Sequence, residues 1–162
     1  MPLSDSKKPQ STAKPRILAC ESDKPNRFLL ETVLLKKGYV PDVVDHDAAL
    51  LARLRAPEVT YDLIIINICA PNKDVCDLIK TIQSLLDHQD PPVPIMATST
   101  SIYPDIKKRC QEKGIVDVIM KPYDLEALIK MIEGCIGQHK KPVISNRSNK
   151  VIPKETTKHN KT

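Results

Sequence analysis

The side chains in this 162-residue chain that could do chemistry fall in four short stretches: Glu21-Ser22-Asp23, Asn67-Ile68-Cys69, Thr98-Ser99-Thr100 and Lys121-Pro122. Each follows on an apolar run. Glu21 and Asp23 are hard-oxygen donors of the kind Mg²⁺ takes, but that ion wants several charged oxygens in near-octahedral geometry. Asn67 is a neutral amide, a poor nucleophile that supplies no anionic ligand. There is no Ser-His-Asp order, no Gly-rich phosphate loop and no paired catalytic carboxylates. His46, His88, His139 and His159 are scattered and read as surface residues. The five cysteines form no CxxC pair and no His-linked metal spacing, so free thiols in a reducing cytosol are expected, with no metal and no cofactor. Cys69 is read first as an inert loop thiol; redox sensing there is the less favoured alternative.

The composition limits the classes open to the chain. Apolar residues make up 41% of it, with no Trp and a single Phe, so a core must be aliphatic. No run of eighteen or more apolar residues offers a membrane span. The opening MPLSDSKKPQSTAKP lacks the apolar stretch of a secretory signal, so a cytoplasmic location is expected. Residues 1–15 carry three Lys and one Asp, and residues 138–162 carry six Lys, one Arg and one Glu. The overall charge of +5 therefore leaves residues 16–137 at −3, a mildly acidic body between two basic ends. Residues 1–14 and 138–162, poor in apolar side chains, are expected to be disordered tails, with 1–13 and about 142–162 dispensable for folding. The C-terminal one lacks interleaved aromatics; weak, salt-sensitive contact with an acidic partner or nucleic acid is its modest alternative role.

Positioning the four stretches requires alternating elements. Apolar runs at 16–20, 39–44, 62–66, 93–97 and 116–120 read as strands, the third as the continuous run of a central parallel strand. Helices are expected at 25–37 with Phe28, Leu29, Val33 and Leu34 on one face; from Asp47, which caps it, through Leu50, Leu51 and Leu54; at 74–86; near 104–113; and at 125–136. Gly38 and Gly114 stop two of them. Parallel strands joined by right-handed crossovers give an α/β doubly wound sandwich, with a five-stranded parallel sheet in the order 2-1-3-4-5. Ligands in such folds bind at the carboxyl ends of the strands, where all four stretches lie.

At these positions the sequence resembles the response-regulator receiver domain of two-component signalling, over about residues 15–137. Ile17 to Asp23 stands where that family has an apolar strand followed by acids. Arg27, Gly38-Tyr39 and Ala49-Leu50 fall at family spacings. Asp62 to Asp74 matches its third strand, loop proline and following acid, Pro94-Ile95-Met96 leads to Ser99, and Lys121 to Leu125 matches its lysine-proline-aromatic ending. The resemblance implies a flavodoxin-like fold. It also implies a site in which a third-strand carboxylate accepts a phosphoryl group, first-strand acids hold magnesium, a hydroxyl contacts the phosphoryl group and a lysine neutralises it.

Against that pattern, Asn67 stands at the acceptor position, Ser22 at the second acid of the Glu21-Ser22-Asp23 cluster, and Val118 at the aromatic switch position, while Ser99 and Lys121 are retained. Lys121 is expected to pair with Glu21 and cap the sheet end, and Asn67 to hydrogen-bond neighbouring loop groups. The expected function is a non-enzymatic, phosphorylation-independent pseudo-receiver acting by protein–protein interaction. The resemblance implies docking on the fourth helix, fifth strand and fifth helix, with Tyr103, Lys107, Lys108, Gln111 and Tyr123 as the residues to watch. An active phosphorelay receiver using Asp23 or Asp74 as substitute acid is one rival; a nucleic-acid-associated protein working through the basic tail is another.

Overall fold

The computed structural model describes residues 13–56, 58–68, 73–100 and 105–140, by backbone alone at 73, 74, 106 and 138–140. Nearly all of both tails, Cys69, Tyr103 and the Asp74 carboxylate lie outside these residues.

Five strands alternate with five helices: β1 (Arg16–Cys20), α1 (Lys24–Lys36), β2 (Val40–Val44), α2 (Asp47–Arg55), β3 (Leu63–Ile68), α3 (Lys73–Leu86), β4 (Ile95–Ser99), α4 (Ile106–Glu112), β5 (Asp117–Met120) and α5 (Leu125–Lys140). The strands form one sheet in the order β2-β1-β3-β4-β5. Every pairing is parallel, with Ala19 opposite both Val43 and Ile65, Asn67 opposite Thr98 and Ala97 opposite Val118.

Period-two alternation sorts the strand side chains into two cores. Leu18, Cys20, Ile64, Ile66, Ile68, Ile95 and Ala97 pack with Leu50 of α2, Leu78, Ile79 and Ile82 of α3 and Cys110 of α4. Ile17, Ala19, Leu63, Ile65, Met96 and Ile119 pack with Leu30 and Leu34 of α1 and Leu128, Ile129 and Ile132 of α5. A parallel strand covered on both faces needs apolar side chains at every position, which is why β3 reads as an unbroken apolar run.

Local signals explain the helix limits. Asp23 caps α1 by accepting the Asn26 N–H at 3.0 Å, and Pro25 lies in the first turn, where its missing N–H costs nothing. Gly38 at φ +85° and Gly114 at φ +91° take the left-handed conformation that follows α1 and α4.

Several expectations need correction. The inward face of α1 is Leu30 and Leu34 with Val33 partly buried, whereas Phe28 is 71% exposed and Leu29 half-exposed. Phe28 precedes Leu30 by two residues, roughly 200° round the helix, so the two cannot share a face. The cap of α2 is His46, and Asp47 is the first helical residue, its carboxylate accepting the Cys20 thiol at 3.6 Å. Strand β4 begins two residues later than the apolar run suggests. Helix α5 continues to Lys140, four residues past the expected end at 136.

Candidate functional site

Glu21 and Lys121 are each held by the sheet before their side chains meet. The Glu21 N–H donates to the Val44 carbonyl at 2.9 Å, and the Lys121 N–H to the Ser99 carbonyl at 2.8 Å, so both residues extend their strands' ladders by one position. By the same alternation that divides the cores, Glu21, Asn67, Thr98 and Lys121 belong to the α1/α5 side of the sheet, while Ser99 has the opposite parity. The side chains of Glu21 and Lys121 therefore run over the ends of β3 and β4 on one face.

They meet in a closed cluster. Glu21 is fully buried and the Lys121 side chain is 6% exposed. The Lys121 ammonium donates to Oε1 at 3.0 Å and to Oε2 at 2.8 Å. The Tyr123 hydroxyl donates to Oε2 at 3.0 Å, and the Asp23 N–H to Oε1 at 3.2 Å. Four donor contacts thus converge on one carboxylate, which meets the requirement that a buried charge be paired and hydrogen-bonded. Among the described residues no buried side-chain nitrogen or oxygen lacks a partner.

The loop around the carboxylate is also tied down. The Arg27 guanidinium donates to the Glu21 carbonyl at 2.9 Å and to the Ser22 carbonyl at 3.2 Å. The Ser22 side chain faces solvent, and the Asp23 carboxylate is engaged in capping α1. Burial is the main force that pushes the Tyr123 hydroxyl up; the Glu21 charge and its hydrogen bond add to this, and a hydrogen bond with Thr98 opposes it. Cys20, below the site, is pushed up to about 12 by burial first and then by Asp47, so its thiol stays protonated at neutral pH.

Both oxygens of the Glu21 carboxylate are thus engaged by donors from within the chain. Among the described residues no three His, Cys, Asp or Glu side chains are grouped to hold a metal ion. None of the described helices is long and apolar enough to cross a membrane.

The sequence profile described as the response regulator receiver domain matches residues 17–133. The chain belongs to that family. The receiver is 28% identical over 125 residues to the DNA-binding transcriptional regulator NtrC of Rhizobium meliloti, covering 77% of this chain but 25% of that protein. It is 27% identical over 109 residues to the two-component response regulator ORR3 of Oryza sativa subsp. japonica, covering 67% of this chain and 81% of that one. It thus spans about a quarter of the NtrC relatives and most of the rice one. Among solved structures, a response regulator from Thermotoga maritima superposes with a TM-score of 0.67 at 18% identity, covering 77% of this chain and 99% of that one. Chemotaxis response regulator CheY4 of Vibrio cholerae gives 0.63 at 21%, with 76% and 99% covered. These likenesses match the doubly wound fold described above.

Within the receiver, the residues picked from sequence separate into three groups. Glu21 and Lys121 form the pair expected of them, with Asn67 between them on β3, in register with Thr98; the loop that follows Asn67 lies outside the described residues. Ser22 and Asp23 border the cluster without lending it a side chain. Val118 packs against the core on the α2/α3/α4 side, away from Lys121's face of the sheet. Of the expected docking residues, Lys107, Lys108 and Gln111 are exposed on α4, with Lys107 3.4 Å from Asp117. Tyr123 instead turns inward to Glu21. Sequence reasoning named Thr98 among the strand-end residues and Tyr123 on the docking face, but did not place either beside Glu21. The parity of Thr98 with Asn67 across β3 and β4 was the available signal for the side of the sheet that Thr98 takes; nothing local marked the inward turn of Tyr123.

Proposed function

We propose that this receiver works in two-component signalling as a phosphorylation-independent interaction module, without catalytic turnover. The observation that carries the reading is the saturation of Glu21 by Lys121, Tyr123 and the Asp23 N–H. Phosphoryl transfer to a receiver relies on positioning and charge stabilisation around an attacking carboxylate. Here the acceptor position holds an amide, the remaining buried acid is neutralised from within the protein, and Ser22 offers no charge. The pair supplies its own counter-ion, so the strand ends need neither metal nor phosphate to stay in one state. Docking is assigned to the α4–β5–α5 side, where Lys107, Lys108 and Gln111 are exposed.

Intact-mass measurement of the full chain after timed exposure to acetyl phosphate with Mg²⁺ tests the proposal. The expected result is no phosphoryl adduct. An adduct on Asp23, Asp74 or any other carboxylate would overturn it and restore the reading as an active receiver.

A further inference from the structure

Tyr123 lies in the short connection between β5 and α5, and its two chain neighbourhoods are fixed by different partners. Its own hydroxyl is 3.0 Å from Glu21 Oε2. The next residue, Asp124, caps α5: its Oδ1 accepts the Glu126 N–H at 3.1 Å and the Ala127 N–H at 3.2 Å, and its carbonyl accepts the Leu128 N–H at 2.9 Å. Consecutive residues thus join the buried carboxylate on one side to the first turn of a helix on the other. That turn carries Leu125, which is 40% exposed, and with Ile129 it lines a groove of about 480 Å³ shared with Val33, Lys36 and Lys37 of α1. On β5, the Val118 side chain has no polar atom and packs on the other side of the sheet.

We propose that Tyr123 is a positioning residue through which the intact Glu21–Lys121 pair orders the first turn of α5 and so the groove between α1 and α5. The proposal deepens the reading of the site as internally neutralised, but it concerns the route by which that site reaches the surface. A charge-assisted hydrogen bond is directional, and this part-buried one of 3.0 Å ends on a tyrosine packed against the α1/α5 core. Loss of that bond, or of the Glu21 charge, leaves Asp124 and the α5 cap without the contact that orients them. A filler residue would respond differently, since its loss loosens the whole core.

Amide hydrogen exchange on the full chain separates the two roles. Tyr123→Phe removes one oxygen and keeps the ring. The expected result is exchange at Glu126, Ala127 and Leu128 about tenfold faster or more, with the β3 amides of Leu63–Ile66 changed by less than about twofold. Glu21→Gln should accelerate the same three amides, and the double variant should exceed the larger single by less than about twofold, because both act through one bond. Unchanged α5 amides, equal acceleration in α5 and β3, or fully additive effects would each overturn the proposal. Should Glu21→Gln fail to fold, Tyr123→Phe decides alone on the contrast between α5 and β3. An acetyl phosphate adduct on the wild type would defeat the proposed function without bearing on this coupling.

Discussion

Lys121 and Glu21, 100 residues apart in the chain, form a bidentate ion pair with contacts of 2.8 and 3.0 Å at the carboxyl end of the sheet. The pair is nearly solvent-free. Removing one partner leaves a buried charge without compensation, whereas removing both leaves a site that apolar groups can fill. Lys121→Met should therefore lower stability by about 3–5 kcal/mol in urea unfolding. Lys121→Met combined with Glu21→Leu should recover at least half of that loss. A single variant as stable as wild type would mean that the pair is solvated in solution.

Repair of the acceptor position should be incomplete. On the proposed reading Asn67→Asp supplies an attacking oxygen, but Ser22 stays neutral and Glu21 stays bound to Lys121. The single change should take up little phosphate from acetyl phosphate, measured by intact mass with Mg²⁺. Adding Ser22→Asp should raise labelling above either single change, since nucleophile and cation site act as one unit. Equal labelling of Asn67→Asp and the double variant would remove Ser22 from the cation position.

The two left-handed glycines should respond unequally to alanine. Both have positive φ, and a Cβ there costs about 1–2 kcal/mol. At Gly38 a Cβ meets nothing within 4 Å, so that strain is the whole effect. At Gly114 it would lie 2.5 Å from Gln83 Nε2, the atom that donates to the Lys113 carbonyl at 2.8 Å. Gly114→Ala should cost a further ~1 kcal/mol from that lost hydrogen bond. Urea midpoints that coincide for the two variants would show that Gln83 moves aside freely.

The outward placement of Phe28 has a direct consequence for stability. Phe28→Ser should change it by less than about 0.5 kcal/mol, as substitutions on an open surface do. Leu34→Ala, on the inward face of the same helix, should cost about 2–5 kcal/mol. A large loss at Phe28 would mean that α1 presents a different face to the sheet.

Alkaline pH should weaken the fold. Burial pushes up the thiols of Cys20, Cys110 and Cys135 from 9.0 and the phenols of Tyr39, Tyr61 and Tyr123 from 10.0. Above about pH 9 the unfolded chain releases these protons first while the native state keeps them, so unfolding free energy falls as pH rises. Below about pH 8 these groups are protonated in both states and contribute no slope. Urea midpoints at about pH 8, 9.5 and 10.5 should fall in that order; a midpoint that rises between the last two would contradict the burial of these groups.

Much of this receiver was determined by local sequence. The unbroken apolar run in β3, the glycines that end α1 and α4, and the short βα spacing specify a doubly wound sheet through interactions within a few residues. Chemistry at the strand ends follows from that topology, which is why Glu21, Asn67 and Lys121 could be singled out from their places after β1, in β3 and after β5. The pairing of Lys121 with Glu21 was legible as well, because a lysine and an acid at the same end of one sheet in an apolar setting have little else to neutralise them. Tertiary structure alone decided the rest. Which side of α1 is inward depends on the angle at which the helix meets the sheet, and two leucines prevailed over a phenylalanine that carries the same hydrophobic signal. Whether Tyr123 faces a partner or the interior depends on where the turn after Pro122 points the ring relative to a carboxylate 102 residues earlier in the chain. No local propensity encodes that distance; it exists only once β1, β3, β4 and β5 have assembled side by side.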